Sequence, residues 1–399
     1  MAVISIYLVP FSPDYSGVSS VLFDLKTVTA MHDASGCTGN YTGYDEPRWY
    51  GSNSGIFCSG LREIDAVLGD DEKLVKKMMH AADDLKPELL ALVGSPVPMV
   101  IGADLVGVAA DLEARTGIPS LGFDTTGTAY YDKGVAMATN ALLKKFTPKQ
   151  EMIPGTVNII GANPMDFSDG VNIEDLKVLV EQAGYHVTAS LSMGYNMETL
   201  KKSASAQVNL VVSRAGLSIA EYMKRTYGIP YLCGMPVGKK VVKEYLATLK
   251  QVAESRESQI LNGSSCDPGH AEILIVGEQV SANAIRQALE KEYGERNIAV
   301  GCIFGKERKL SLQQDVNLPN ERAIKEEMNK PQYKMIIADP FMRQLLPEDT
   351  EKVFVNSAQY AVSSKICSDQ TAHFIGEKFE DWYRSELEKQ VDFVKKEAC

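Results

Sequence analysis

No apolar run in this chain approaches the roughly 18–20 residues needed to cross a bilayer. The N-terminal stretch, residues 1–17, is apolar but has neither the basic start nor the small-residue cleavage site of a secretory leader. Both absences point to a cytoplasmic protein, and the opening residues are expected to form a first buried strand. Positive charge is in short supply: 41 Lys and Arg face 52 Asp and Glu, a formal net charge of −11. Phosphate backbones and anionic lipid call for basic surface, so neither nucleic acid nor membrane is an expected partner. The cysteines number seven, an odd count in a chain of 399 residues, which argues against a disulfide framework. They are left as packing residues, metal ligands or reactive thiols. Two nucleotide signatures are missing as well. The stretch from Gly234, GMPVGKK, only loosely resembles a phosphate-binding loop, with the wrong spacing and no Ser or Thr after the lysines. Gly277 opens no dinucleotide fingerprint, because Glu278 and Gln279 follow it. No P-loop ATP site is therefore expected in this chain.

What is present reads as a soluble α/β protein. Hydrophobic residues make up 45% and charged residues 23%, ordinary values for a globular chain, and the length predicts two or three domains. One theme recurs: apolar strand, glycine-rich turn, amphipathic helix, strand. Leu89–Val93 is a strand, a helix starts near Asp104, and Gly117-Ile118-Pro119 leads into the next strand. TVNIIGANP, from Thr156, and QVNLVVSRAG, from Gln207, repeat the pattern. AEILIVGEQV, from Ala271, opens it again after a polar linker at 254–269. The alternation predicts three Rossmann-like domains with parallel sheets: 1–150, 151–265, and 266–399 with a C-terminal helix. In such sheets ligands sit beyond the C-terminal strand ends. The loops of interest are those at Gly36, Gly94, Gly161, Ser213 and Gly277, and after Ala338.

Two cysteines occupy glycine-bearing loops. Cys37 is flanked by Gly36 and Gly39, which leave room for a bulky group; Cys58 follows a short apolar run and precedes a helix carrying Leu61, Ile64, Val67 and Leu68. A thiolate at a helix start is favoured by the helix dipole. Taken alone, the pair is read equally well as two small packing residues. His32 and Asp33 either tune a group held here or only brace the loop. Arg48, Trp49 and Tyr50 line a docking surface or pack a loop. Asp124 to Gly127 bind a polar group or cap a helix. Cys233 (beside Met235 and Pro236) and Cys302 are expected in the core, and Cys266, Cys367 and Cys399 are not expected to be ligands.

The segments His32–Leu74 (GC, then FCSGLRE), Leu92–Leu105 (GSPVPMVIGADL) and Asn209–Pro236 (NLVVSRAG, then YGIPYLCGMP) resemble the component 1 proteins of nitrogenase and their relatives. Those relatives include the dark-operative protochlorophyllide and chlorophyllide reductases and the nickel-sirohydrochlorin reductive cyclase. The resemblance covers nearly the whole chain. It implies a component 1-like fold and a reductase subunit that takes electrons from a separate ATP-binding iron protein. It also implies that Cys37 and Cys58 are cluster ligands, with Gly36, His32, Ser95 and Glu63 around them. The family's further cluster cysteine falls at Gly94-Ser95-Pro96, where this chain has none, so a nitrogenase-type eight-iron cluster is not expected. Two thiolates are half of a [4Fe–4S] shell. A cluster shared across a homodimer, or a heterodimer with a paralogous subunit, completes it. The cysteine that anchors the nitrogenase cofactor falls near Ser213, and no suitable histidine follows apart from His373, so dinitrogen is not the expected substrate. A second cofactor near Ser213 or Cys233 is left open. A scaffold for metal-cofactor assembly and a non-catalytic redox sensor are the alternative functions.

Overall fold

The computed structural model describes residues 5–52, 54–69 and 71–397, with side chains through residue 389. Its framework is three parallel sheets. The first has the order β2-β1-β3-β4, built from β1 (Thr27–His32), β2 (Gly55–Cys58), β3 (Leu89–Gly94) and β4 (Ser120–Phe123). The second, in the order β6-β5-β7-β8-β9, uses β5 (Thr156–Ile160), β6 (His186–Leu191), β7 (Val208–Val211), β8 (Tyr231–Cys233) and β9 (Gln259–Ile260). The third, β12-β11-β10-β13-β14, uses β10 (Ile273–Gly277), β11 (Ile298–Cys302), β12 (Val316–Asn317), β13 (Met335–Ala338) and β14 (Val353–Asn356). Strands β1, β3, β5, β10 and β11 are buried along their whole length. Their largely apolar runs suit strands covered on both faces by crossover helices. The α/β class with three parallel sheets is as the alternation predicted.

Two expectations fail. The N-terminal residues form no strand among those described. Glu321 instead accepts the backbone N–H groups of Ile6, Tyr7 and Leu8 at 2.7–3.0 Å, strapping the segment to the third sheet's unit. An apolar stretch does not by itself specify a strand, and here a carboxylate takes the N–H groups a sheet neighbour would have paired. The polar stretch at 254–269 is not simply a linker, because β9 within it pairs with β8 as the outer strand of the second sheet.

In each sheet the strand order reverses next to its first strand. The switch points lie between β1 and β3, between β5 and β7, and between β10 and β13. Crevices beyond the carboxyl ends of such strands are where open α/β sheets hold ligands. At the first switch point the loop after β1 carries Cys37 and the loop after β3 carries Ser95. The helices Asp14–Leu22 and Tyr131–Phe146 cross beside this sheet at two glycines. A Cβ on Gly17 would lie 2.0 Å from the Tyr131 carbonyl oxygen, and one on Gly134 1.9 Å from that of Asp14. Among the described residues no helix is long and apolar enough to cross a membrane.

Candidate cluster site at the first sheet

Parallel register brings the site together. Met31 of β1 lies opposite Cys58 of β2 and Val93 of β3, and His32 lies opposite Gly94. Cys58, Asp33 and Ser95 therefore leave the sheet at one level. Cys37 arrives from the same side, at the second position of the short helix Gly36–Asn40. Both thiols touch Asp33. The Cys58 thiol donates to the Asp33 carbonyl oxygen at 3.3 Å. The Cys37 thiol is within hydrogen-bond reach of the side chains of Asp33, Ser95 and Tyr15. Both cysteines are half-buried. Cys58 ends its strand, with the helix Glu63–Leu68 beginning only five residues later, so the expected helix-start position does not apply to it.

Asp33 organises the loop. Its carboxylate accepts from the Thr38 N–H (3.1 Å), the Thr38 hydroxyl (3.3 Å) and the Ser95 hydroxyl (3.4 Å). Ser59 links the next layer: its hydroxyl lies 3.0 Å from His32 Nδ1 and accepts the Asp33 N–H at 3.1 Å. The Gly60 N–H points at the Cys58 sulfur (3.3 Å). Burial, then the charge of Asp33, pushes the Cys37 thiol up from its ordinary value. Burial lowers His32, so its imidazole is held neutral. Ser95 is fully buried, and Gly36 has open space where a Cβ would stand, as does Gly39. Glu63 is exposed on the first turn of its helix, where its charge complements the dipole.

The donor set suits half of an iron–sulfur site. Two thiols converge beside two glycines whose Cβ positions are open, in a loop ordered by Asp33. Among the described residues, no group of three or more His, Cys, Asp and Glu side chains is arranged to hold a metal ion.

Most of the remaining sequence candidates take part in local structure, while Tyr50 and Asp124 stand exposed. Arg48 pairs with Asp24 at 3.1 Å and Glu46 at 2.7 Å and stacks on Phe23, while Trp49 packs edge-on against Tyr41. Thr126 and Gly127 donate their N–H groups to Asp14, and the Thr125 hydroxyl donates to the Gly94 carbonyl. Ser213 donates to the Gly161 carbonyl at 2.7 Å. Cys233 and Cys302 are buried among apolar neighbours, as expected; Cys367 is also buried and Cys266 half-buried. Cys399 lies outside the described residues. His373 pairs with Asp169 at 2.9 Å on the surface. Tyr15 and Ser59 were not singled out by the sequence. Ser59 is adjacent to Cys58 and could have been; Tyr15 sits on a separate helix that no motif connects to Cys37.

Three parallel sheets, with Cys37 after the first strand of the first sheet and Cys58 at the end of its neighbour β2, define an α/β protein with two thiols at one sheet's carboxyl edge. The family model described as nitrogenase component 1 type oxidoreductase matches residues 14–265, and the chain belongs to that family. It is 26% identical over 214 residues to the nitrogenase molybdenum-iron protein alpha chain of Clostridium pasteurianum, covering 51% of this chain and 39% of that one. To the nitrogenase iron-molybdenum cofactor biosynthesis protein NifE of Methanosarcina barkeri it is 26% identical over 236 residues, covering 55% and 50%. To a subunit of the light-independent protochlorophyllide reductase of Crocosphaera subtropica it is 22% identical over 266 residues, covering 58% and 52%. The aligned regions thus span about half or less of these relatives. The solved structure "Nitrogenase Cp1 at pH 5" superposes with a TM-score of 0.66 at 17% identity, over 96% of this chain and 89% of that one, a likeness of fold.

Proposed function

We propose that this chain is the electron-accepting component of a nitrogenase-like reductase, and that Cys37 and Cys58 supply half the ligands of a [4Fe–4S] cluster shared with a second subunit, most simply a second copy. The observation that carries this reading is the meeting of both thiols at Asp33, at the carboxyl edge of β1 and β2. When bound, such a cluster supplies one-electron chemistry at low potential. The residues of the chain have defined tasks around it. Asp33 orders the Cys37 loop, Gly36 and Gly39 leave the approach open, and the Gly60 N–H donates to the Cys58 sulfur, an interaction that stabilises a thiolate. His32, held neutral and bonded to Ser59, keeps the next layer rigid. Electrons arrive, in this reading, from a separate ATP-dependent iron protein, since no P-loop is present in this sequence. The division at residues 150 and 265 belongs to the same proposal. The substrate is one other than dinitrogen: at the position nearest the nitrogenase cofactor cysteine stands Ser213, committed to Gly161.

Anaerobic purification followed by iron and sulfide determination tests the reading. Wild-type protein is expected to carry about four irons per dimer, and Cys37→Ser and Cys58→Ser each to lose most of them with the fold retained. Protein without iron, or a Cys37→Ser variant with undiminished iron, overturns it. A cofactor-assembly scaffold is the second reading, favoured by the similarity to NifE. It predicts a cluster that transfers to an acceptor protein without substrate turnover.

A further inference from the structure

An apolar hollow lies one side chain from Cys37 and is not part of the ligand set. It measures about 580 Å³ and lies between the first and third sheets' units, walled by Phe11, Tyr15, Pro96, Val362 and Ile366. Three features mark it as a built site. It comes within one side chain of Cys37, because Tyr15, which lines it and is itself buried, interacts with that thiol. It has one polar corner: the buried Asp45 carboxylate accepts from Ser12 (3.0 Å), Ser16 (2.6 Å) and Asn40 (2.8 Å), an arrangement that fixes its position. It has one sign of charge, since among the described residues Asp45 is the sole charged side chain lining it. The nearby cation Lys365 stays outside, over the rings of Tyr44 and Tyr50. Apolar walls with a few placed polar groups are what a small-molecule site requires, and a volume of this size admits a drug-sized molecule.

We propose that this hollow is a binding site for an uncharged or cationic, largely apolar small molecule, held one side chain away from Cys37. An anion would meet Asp45 without any compensating cation, so phosphorylated or polycarboxylate molecules are excluded from the interior. The pocket stands on its own geometry; its role as the substrate site rests on the reductase reading above.

The test uses the full chain, purified without iron, and the neutral fluorophore N-phenyl-1-naphthylamine. Saturable one-site binding is expected, with at least a tenfold loss of affinity in Val362→Trp and in Ile366→Trp, which fill the hollow from its wall and from its exposed rim. Ile366→Trp carries the test if the buried substitution fails to fold. Bound fluorophore is also expected to slow alkylation of Cys37 by iodoacetamide several-fold while leaving Cys266 unchanged, followed by peptide mass spectrometry. Absence of saturable binding, wild-type affinity in Ile366→Trp, or equal alkylation of Cys37 with and without fluorophore overturns the site. Binding that emerges only when a dimer is diluted to monomer also overturns it, since the hollow is then filled by a second copy. Because binding is read without iron, the two readings fail separately. A chain that binds the fluorophore but takes up no iron keeps the pocket and loses the reductase; iron without binding does the reverse.

Discussion

At the scale of single residues, Asp33 is the pivot. It sits against both thiols, and its charge adds to burial in raising Cys37. Asp33→Asn removes that charge while keeping one oxygen acceptor, enough for Thr38, with the amide nitrogen facing the Ser95 hydroxyl. The thiolate fraction of Cys37 at neutral pH then rises, and iodoacetamide modification of Cys37 in iron-free protein is expected to accelerate several-fold, tenfold per pKa unit at most. An unchanged rate would show that burial alone sets this thiol. Asp339 offers a pH reading. It follows β13, accepts from the N–H groups of Phe341 and Gln359 and from the Ser363 hydroxyl, and burial pushes it up to about 6. A carboxyl raised in the folded state binds its proton more tightly there than in the unfolded chain. Stability from this group is therefore present below the ordinary carboxyl range, at about pH 4, and lost as pH rises through about 6. The Asp339→Asn variant escapes that loss. Its stability relative to wild type is expected to improve by up to about 3 kcal/mol between about pH 4 and pH 7, measured as thermal midpoints across that range. A constant offset would contradict the shift.

At the scale of elements, the crossing of the helices Asp14–Leu22 and Tyr131–Phe146 governs where Tyr15 lies. Gly17 and Gly134 let the two backbones approach within carbonyl contact. Gly134→Val forces them apart and is expected to cost at least about 1–3 kcal/mol, as overpacking of a tight interface does. Chemical denaturation measures the cost, and Cys37 alkylation in the surviving folded fraction reports whether Tyr15 has moved. This crossing was not legible in the sequence. Gly17 and Gly134 are 117 positions apart, and neither lies in a turn that would draw attention to it. By contrast, β3 and a helix starting near Asp104 were placed from periodicity, and the structure shows Asp104 capping the helix Leu105–Thr116 by accepting the Gly107 N–H at 2.8 Å. Local chemistry fixes such an element; a distant contact fixes the crossing.

At the scale of the whole molecule, two features stand out. The three units meet at a buried polar junction. Tyr131 bonds Asp166, Arg214 pairs with Asp132 at 2.5 Å, and the Arg214 backbone N–H reaches Glu278 at 2.8 Å. Burial, with the nearby charge of Glu278, pushes Asp166 well above the usual carboxylate range. The second feature is an exposed apolar surface next to the candidate site. Val67 and Leu68 of the helix after Cys58 are 75% and 70% exposed, and Val100 of the helix after Ser95 is 76% exposed. The two helices adjoin, since Ala66 and Ile101 line one hollow. If the proposed dimer forms through this surface, charge placed on it breaks the association. The double variant Val67→Glu/Val100→Glu is expected to stay folded, with a thermal midpoint near that of wild type. Its self-association should weaken at least tenfold by sedimentation velocity, with iron content falling in parallel. A dimer of unchanged strength would place the second subunit elsewhere.

The sequence by itself determined the class of fold, because strands buried on both faces must be largely apolar and crossover helices must carry an apolar stripe. Glycine-bearing loops at strand ends also marked Cys37, Cys58 and Asp33 as candidates, while Ser95 and the ligand role of the two thiols came from the family resemblance. The sequence misjudged the N-terminal segment, whose apolar character says nothing about whether a sheet edge is available. Only the tertiary structure decided that both thiols reach one aspartate, that Tyr15 joins them from another helix, and that an apolar hollow opens behind it. Those facts depend on register between strands and on packing between units, and neither is written in any single stretch of chain.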